Sequence, residues 1–395
     1  MFPFISHATF YFVYFATLGL FLPFWSVYLL DRGLSHFEVA LLISASLAVK
    51  VVALILWGWV ADKKYGRLSV IRWGAFFTWF VFLLVFLKMS FYGLFAVMAS
   101  FWFFWNAILA QFEVLVLRLL QKKHAETKYS RIRLWGSIGF LLTVLWGGAI
   151  IEWINIKHFP YLILFGAFSI WIASLFISES GVSKSDVSNL GEKNSAAEPV
   201  IKNILPRSTK KNRLFLFLLA AFLMQVAYGP YYTFFSLYLM EHYYSLSDIG
   251  SIWALGVFAE IIFFIFLPKF CHKITNLHWM QIGLLAGAVR WVIIQEGVEN
   301  IGWLVFAQAF HALNFGAFHV GAINWVNEHF SEGMKGRGQA IYSAFTYGLG
   351  GAVGAYIAGV IWDAALINYL YLFSSVMCLL GLLVSIKLSN KTHIL

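Results

Sequence analysis

The chain has 395 residues, 61% of them hydrophobic and 12% charged, with a formal net charge of +10 at pH 7. Soluble globular domains carry about 25% charged residues, so that class is excluded. Apolar runs of about 20 residues recur from end to end, each long enough to cross roughly 30 Å of hydrocarbon, and the class is an all-α, polytopic membrane protein.

Twelve transmembrane helices are predicted in chain order. Six lie near residues 6–30, 37–61, 69–88, 91–118, 131–151 and 158–178, and six more near 213–240, 248–268, 276–296, 299–327, 337–362 and 366–387. No charged region and no small-residue cleavage site marks the first apolar run, which reads as a retained span rather than a signal peptide. Between the two sets, the stretch 179–212 contains ESGVSKSDVSNLGEKNSAAEP and PRSTKKN. Its low hydrophobicity and mixed charge mark a solvated linker. The expected organisation is an N-terminal six-helix bundle at 1–178, a cytoplasmic linker at 179–212 and a C-terminal six-helix bundle at 213–395.

Lysines and arginines are distributed unevenly between alternate loops. One set of loops carries three, Arg32, Lys88 and Lys157; the opposite set, with both termini, carries twenty-three. The positive-inside rule therefore places both termini and the linker in the cytoplasm. This asymmetry accounts for the basic balance without a nucleic-acid partner. Only Lys50 and Arg290 remain, and both fall inside predicted spans.

The two halves repeat. FWSVYLL at 24–30 matches FFSLYLM at 234–240, an offset of 210 residues. At the same offset Asp31 falls on Glu241, Glu38 on Asp248 and Lys50 on Glu260. Duplicated six-helix halves, with a substrate site between them near the midplane, are the architecture of secondary transporters. The segment GWVADKKYGR at 58–67 resembles the major facilitator signature between helices 2 and 3: a glycine, three residues, an aspartate, a base, one residue, a glycine and an arginine. Gly58, Asp62, Lys63, Gly66 and Arg67 fill that pattern, with one extra residue before Gly66 and Leu68 where a second base is usual. The resemblance implies a conformational-switch loop and the major facilitator fold of two pseudo-symmetric six-helix bundles. LPFWSVYL at 22–29, YSRIRLWGSIGF at 129–140, WALGVFAEIIFF at 253–264, VRW at 289–291 and the histidines at 311 and 319 further resemble the 3-phenylpropionate permease group. That group is a branch close to the lactose and nucleoside proton symporters.

Few ionisable residues interrupt the spans. A charge at the centre of a membrane helix costs about 2.5–3.5 kcal/mol on insertion scales, so Lys50, Glu113, Glu260 and Arg290 together would cost on the order of 10 kcal/mol if they faced lipid. They are expected to face inward and to be partnered. Glu260 lies midway along predicted helix 8 and Arg290 in the outer half of helix 9, while His311 and Asn314 share a face of helix 10 at i, i+3. In the lactose permease relatives these positions correspond to the proton-coupling and substrate network, which implies that role for Glu260, Arg290 and His311. A carboxyl group in an apolar cavity favours its neutral form and a nearby guanidinium favours the ionised one. A group balanced in this way can take a proton in one conformation and release it in another. The alternative is an ion pair that locks helices 8 and 9. Where the lactose-type carriers have a second carboxylate, this chain has Asn314, and an amide cannot titrate. Coupling then rests on Glu260, His311 or Glu113, or the protein is an uncoupled facilitator.

In the first half, Glu113, Asn106 and Trp102 form roughly one stripe of helix 4, and Arg133 begins helix 5. The matching pair in the lactose permease holds the sugar; the competing reading is a clip between helices 4 and 5. Lys50 shares a face with Ser46 and Trp57 and suits an anionic substrate, or else pairs with another helix or snorkels. Gln225, Tyr228 and Tyr232 form a polar-aromatic stripe on helix 7, with Tyr228 and Tyr232 as candidate cavity-lining residues.

GLGGAVG at 348–354 lies inside predicted helix 11 with no strand before it, so it reads as close helix packing rather than a dinucleotide site. His311 and His319 are eight apart with nothing nearby to complete a metal site, and Cys271 and Cys378 are too few for a disulfide framework. No metal, cofactor or catalytic constellation is expected, and an enzyme is disfavoured. The leading expectation is a monomeric secondary transporter of a bacterial inner membrane. The narrower resemblance implies proton symport of a small organic acid such as 3-phenylpropionate; a sugar or nucleoside symporter is the rival.

Overall fold

A computed structural model describes residues 4–122, 129–178, 211–270, 273–331 and 334–390. Of the expected linker at 179–212, only Lys211 and Asn212 fall within the described residues, as the start of a helix. Cys271 lies outside them, and Cys378 is a buried thiol.

Among the described residues twelve helices are long and apolar enough to cross a membrane. In the first half they are α1 Phe4–Asp31, α2 His36–Val60, α3 Arg67–Phe86, α4 Phe91–Leu120, α5 Tyr129–Ile154 and α6 Ile156–Leu175. In the second they are α7 Lys211–Glu241, α8 Leu246–Lys269, α9 Asn276–Gly297, α10 Ile301–His329, α11 Lys335–Asp363 and α12 Ile367–Ser389. Every end lies within three residues of the expected one. The all-helical outcome follows from the solvent. Hydrocarbon offers nothing to hydrogen-bond a backbone, so each span satisfies its own amides along its own axis.

The chain packs into two compact units, one of residues 1–32 with 49–199, the other of residues 33–48 with 200–395. The first half of α2 thus groups with the second unit, although the half-repeat counts it with the first six helices. Its local chemistry supplies the reason. Ser44 donates its hydroxyl to the Ala352 carbonyl at 2.8 Å, and the His36 ring stacks on Trp362 at 4.9 Å.

Inside each unit the same pairs of helices meet. In the first, α1 packs on α5 and α6, and α3 on α4 and α6. In the second, α7 packs on α11 and α12, and α9 on α10 and α12. The half-repeat is visible at atomic level too. Ser35 and Glu38 cap the start of α2 reciprocally, and Ser245 and Asp248 do the same for α8, 210 residues on. Such boxes satisfy amides that the first turn leaves without partners.

Gly19 and Gly229, again 210 apart, occupy close crossings. A Cβ at Gly19 would sit 2.8 Å from the Phe140 carbonyl oxygen of α5, and one at Gly229 would run into the Gly354 backbone of α11. A Cβ at Gly350 would likewise sit 2.9 Å from the Phe222 carbonyl oxygen of α7, so the GLGGAVG stretch is helix packing. Among the described residues three π-helical segments interrupt the helices, at Ala61–Tyr65, Ala312–Ala317 and Ala344–Gly350.

Gly229→Val is expected to destabilise the second unit by about 1–3 kcal/mol or more, because backbone rather than a flexible side chain blocks the new atoms. Thermal unfolding in detergent checks this, with Gly336→Ala, where a Cβ meets nothing within 4 Å, as the control that keeps the parent melting temperature.

Candidate functional site

Polar chemistry in the second unit gathers where α7, α8, α9 and α10 meet. Arg290, on α9, is 0% exposed. Its guanidinium donates to the Ala307 carbonyl at 3.2 Å, to Gln308 Oε1 at 3.0 Å and to the Tyr228 hydroxyl at 3.4 Å. The faces of Trp291 and Tyr231 lie 4.4 and 4.5 Å from its central carbon. Cation–π contacts of this kind are worth about 2 kcal/mol or more when desolvated. Neutral acceptors and aromatic faces therefore take the place of water around this cation. Among the described residues no carboxylate lies within ion-pair distance of Arg290.

Glu260 has a different neighbour. Its carboxylate oxygen lies 3.7 Å from His311 Nε2, and the other nitrogen of that ring, Nδ1, lies 3.4 Å from the Tyr228 hydroxyl. The order across the unit is Arg290, Tyr228, His311, Glu260. Expected neighbours in sequence terms, Arg290 and Glu260 are joined through a tyrosine and a histidine instead of touching. Glu260 retains partial exposure, with 23% of its side chain accessible, while Arg290, Tyr228, Tyr231 and Gln308 form a buried layer behind it. Tyr232 stacks on Tyr228 at 5.4 Å and is partly exposed, so the α7 stripe runs from the buried layer to the front.

Asn314 lies apart from this line. It is 0% exposed and donates its amide to the Gly283 carbonyl at 3.0 Å, which ties α10 to α9. A Cβ at Gly287 would meet the same amide, so α9 has small residues where Asn314 enters.

The first unit holds a second cluster. Arg133 Nε lies 4.0 Å from Glu113 Oε1, and each side chain is about a third exposed, at 35% and 36%. The guanidinium sits over Phe15 at 4.2 Å and faces Tyr11 at 5.5 Å. Lys50 interacts electrostatically with Glu113 as well. Counted by formal charge, two basic groups and one carboxyl group leave these three side chains one positive charge. Asn106 belongs to the α4 stripe, but its amide donates to the Trp102 carbonyl of its own helix at 2.7 Å.

The expected switch loop also lies in the first unit. Arg67 pairs with Asp62 and donates to Gln111 of α4. Gly66 has φ +78°, a backbone conformation that suits glycine. The extra residue relative to the signature is accommodated by the π turn at Ala61–Tyr65, since a π turn is an α-turn with one residue inserted. Asp62 and Arg67 thereby meet across the insertion. A Cβ at Gly58 would meet nothing within 4 Å, and the side chain of Lys63 lies outside the described residues.

Three groups escaped the sequence reading. Gln308 and Tyr231 hold the Arg290 guanidinium, and Tyr347 of α11 bonds His319 Nδ1 at 2.9 Å. Gln308 had a signal, lying three residues before His311 on one face. The other two meet their partners only through interhelical packing. Among the described residues no group of three or more His, Cys, Asp and Glu is placed to hold a metal ion.

Residues 4–373 match the MFS_1 like family. The chain is 26% identical over 356 residues to the "Probable 3-phenylpropionic acid transporter" of Escherichia coli strain K12, covering 89% of each protein. It is 25% identical over 388 residues to the maltose permease of Geobacillus stearothermophilus, covering 97% of this chain and 93% of that one. The crystal structure of the nucleoside transporter NupG superimposes with a TM-score of 0.78 at 16% identity, covering 99% of this chain and 99% of that one. These relatives are transporters, not enzymes. With twelve apolar spans, paired halves and ionisable side chains gathered inside each unit, the chain belongs to the MFS_1 like family and is a multi-pass membrane transporter of the major facilitator type.

Proposed function

We propose that the protein is a proton-coupled symporter of a small organic anion, with 3-phenylpropionate as the representative substrate. The observation that carries the anion reading is the cluster of Lys50, Arg133 and Glu113, with its one net positive charge beside the Phe15 ring. A carboxylate satisfies the surplus charge, and an aryl tail suits the adjoining aromatic faces. The E. coli relative supports the same class. In this reading Lys50 and Arg133 contact the substrate carboxylate and Glu113 keeps the two cations apart. Asn106 shapes the surface beside this cluster in the first unit; in the second, Tyr232 offers a partly exposed ring in front of buried Tyr228.

Coupling rests on Glu260 and His311, 3.7 Å apart. A carboxyl and an imidazole that close from this separation to hydrogen-bond distance can exchange one proton, since either can hold it. Arg290 acts on the pair through Tyr228, and Asn314 acts as the α9–α10 tie that positions His311. Transport proceeds by alternating access, with residues 1–178 and 213–395 as the two six-helix halves. The loop of Gly58, Asp62, Lys63, Gly66 and Arg67 latches one of the alternating states. The excess of basic residues in alternate loops supports cytoplasmic termini, in a bacterial inner membrane, for a protein acting as a monomer.

A sugar is the second reading, favoured by the Glu113–Arg133 pair itself, since a carboxylate and a guanidinium together offer acceptors and donors to hydroxyls. The maltose permease relative supports it.

Uptake of labelled 3-phenylpropionate into proteoliposomes decides between them. An inward proton gradient is expected to drive accumulation, with excess maltose or nucleoside failing to compete; gradient-independent uptake would remove the coupling, and competition by the sugar would replace the substrate. Glu260→Gln is expected to abolish accumulation against a gradient while the folded protein is retained, and Arg290→Ala to be at least as damaging. Normal accumulation by both variants would refute the coupling assignment. Lys50→Gln is expected to raise the KM for the carboxylate about tenfold, equivalent to about 1.4 kcal/mol, without the same effect on the neutral amide analogue. Arg67→Ala is expected to slow the initial uptake rate at unchanged abundance and unchanged substrate affinity, measured by binding to the purified protein.

A further inference from the structure

The second unit contains a titratable group that the mechanism above leaves unused. His319 lies two helical turns beyond His311 on α10, and Phe315 stands between them. The three rings form a column with centroid spacings of 5.6 and 5.8 Å and interplanar angles of 4° and 3°. In an α-helix, residues four apart are about 40° out of line around the axis. The π segment at Ala312–Ala317 has a wider turn, and it falls between the two histidines, bringing side chains four apart closer into register. The column thus spans the π turn, with His311 just before it and His319 just after it.

His319 is also oriented. Its Nδ1 lies 2.9 Å from the Tyr347 hydroxyl, and that hydroxyl lies 3.5 Å from the hydroxyl of the buried Tyr342. Tyr347 belongs to the π segment of α11, Ala344–Gly350. His319, Phe315 and Tyr347 keep partial exposure, as Glu260 does. Glu260 lies on the stretch of α8 that faces this part of α10: four residues before it a Cβ at Gly256 would meet the His311 ring at 3.6 Å, and three residues after it the Phe263 ring lies 2.9 Å from where a Cβ of Gly316 would sit.

We propose that His319, held in one orientation by Tyr347, is a second proton acceptor for Glu260, so that the coupling proton passes from the His311 end of the column to the His319 end. This rests on the proton-coupled reading given above. With Nδ1–H donated to the Tyr347 oxygen, Nε2 carries the lone pair. As the O–H bond of the Glu260 carboxylic acid breaks, an N–H bond forms at Nε2, leaving a carboxylate and an imidazolium side by side. The step is charge-balanced, and it moves the proton along α10 toward its His329 end, the side that the loop charges assign to the cytoplasm. The groups that bear on His319 are Glu260 from α8, Tyr347 from α11 with Tyr342 behind it, and His311 on its own helix. Tyr232 from α7 bears on Tyr347 and Glu260.

The test compares wild type, His319→Gln, Tyr347→Phe and Glu260→Gln in proteoliposomes loaded with 3-phenylpropionate. Two quantities are read: accumulation driven by a proton gradient, and gradient-free exchange of internal for external substrate. His319→Gln is expected to reduce driven accumulation about tenfold or more while exchange and its KM stay at the wild-type level. Tyr347→Phe, which keeps the ring and removes the hydroxyl, is expected to displace the pH profile of driven uptake without lowering exchange. A His319→Gln protein that accumulates normally, while Glu260→Gln does not, overturns the second acceptor and leaves the coupling reading standing. A raised KM for exchange with coupling intact also overturns it, making His319 a substrate contact. A wild-type protein indifferent to the gradient overturns both. Should His319→Gln fail to fold, an unmoved pH profile in Tyr347→Phe overturns the proposal alone.

Discussion

A guanidinium taken fully out of water organises the second unit. Burying an ion costs several kcal/mol unless protein groups replace its hydration, and at Arg290 the replacement is made by neutral partners. Ala307, Gln308 and Tyr228 supply oxygen acceptors, and Trp291 and Tyr231 supply aromatic faces. This choice has a consequence for Glu260. A carboxylate pressed against a permanent cation is held ionised, whereas one paired with a histidine has a neighbour that itself gains and loses a proton. The neutral shell around Arg290 separates the fixed charge from the adjustable one.

Local irregularity in the helices serves the same end. Each π segment falls at a cluster of polar groups. One absorbs the extra residue of the Asp62–Arg67 loop, one separates His311 from His319, and one carries Tyr347. A single inserted residue shifts every later side chain around the helix, so the membrane span keeps its backbone bonds while its polar side chains are re-aimed.

The half-repeat shows which features the two units share and where they part. Close crossings at Gly19 and Gly229, and reciprocal caps at Ser35 with Glu38 and Ser245 with Asp248, stand 210 residues apart. These are packing and backbone requirements, and both units meet them alike. The chemistry has diverged at the same offset, with Lys50 in one half and Glu260 in the other. By formal charge one unit has a cluster with one surplus positive charge and the other a carboxylate–imidazole pair, and the proposed roles in anion binding and proton binding are assigned accordingly.

Much of this protein is legible in its sequence, because a membrane imposes rules that act on one segment at a time. Span number, span ends and the burial of Arg290 follow from the cost of exposing charge or backbone to hydrocarbon. Partner choice does not follow, because it depends on how helices distant in sequence rotate against each other. Arg290 and Glu260 lie on adjacent spans, yet the α7 tyrosine at 228 and the α10 histidine at 311 stand between them. Tyr347 reaches His319 across the contact of α10 with α11, beside a π segment in each helix. Periodicity assumes 3.6 residues per turn, and wherever a helix departs from that period the sequence pattern misplaces the side chains beyond it. Composition thus set what had to be buried, and packing set what each buried group would touch.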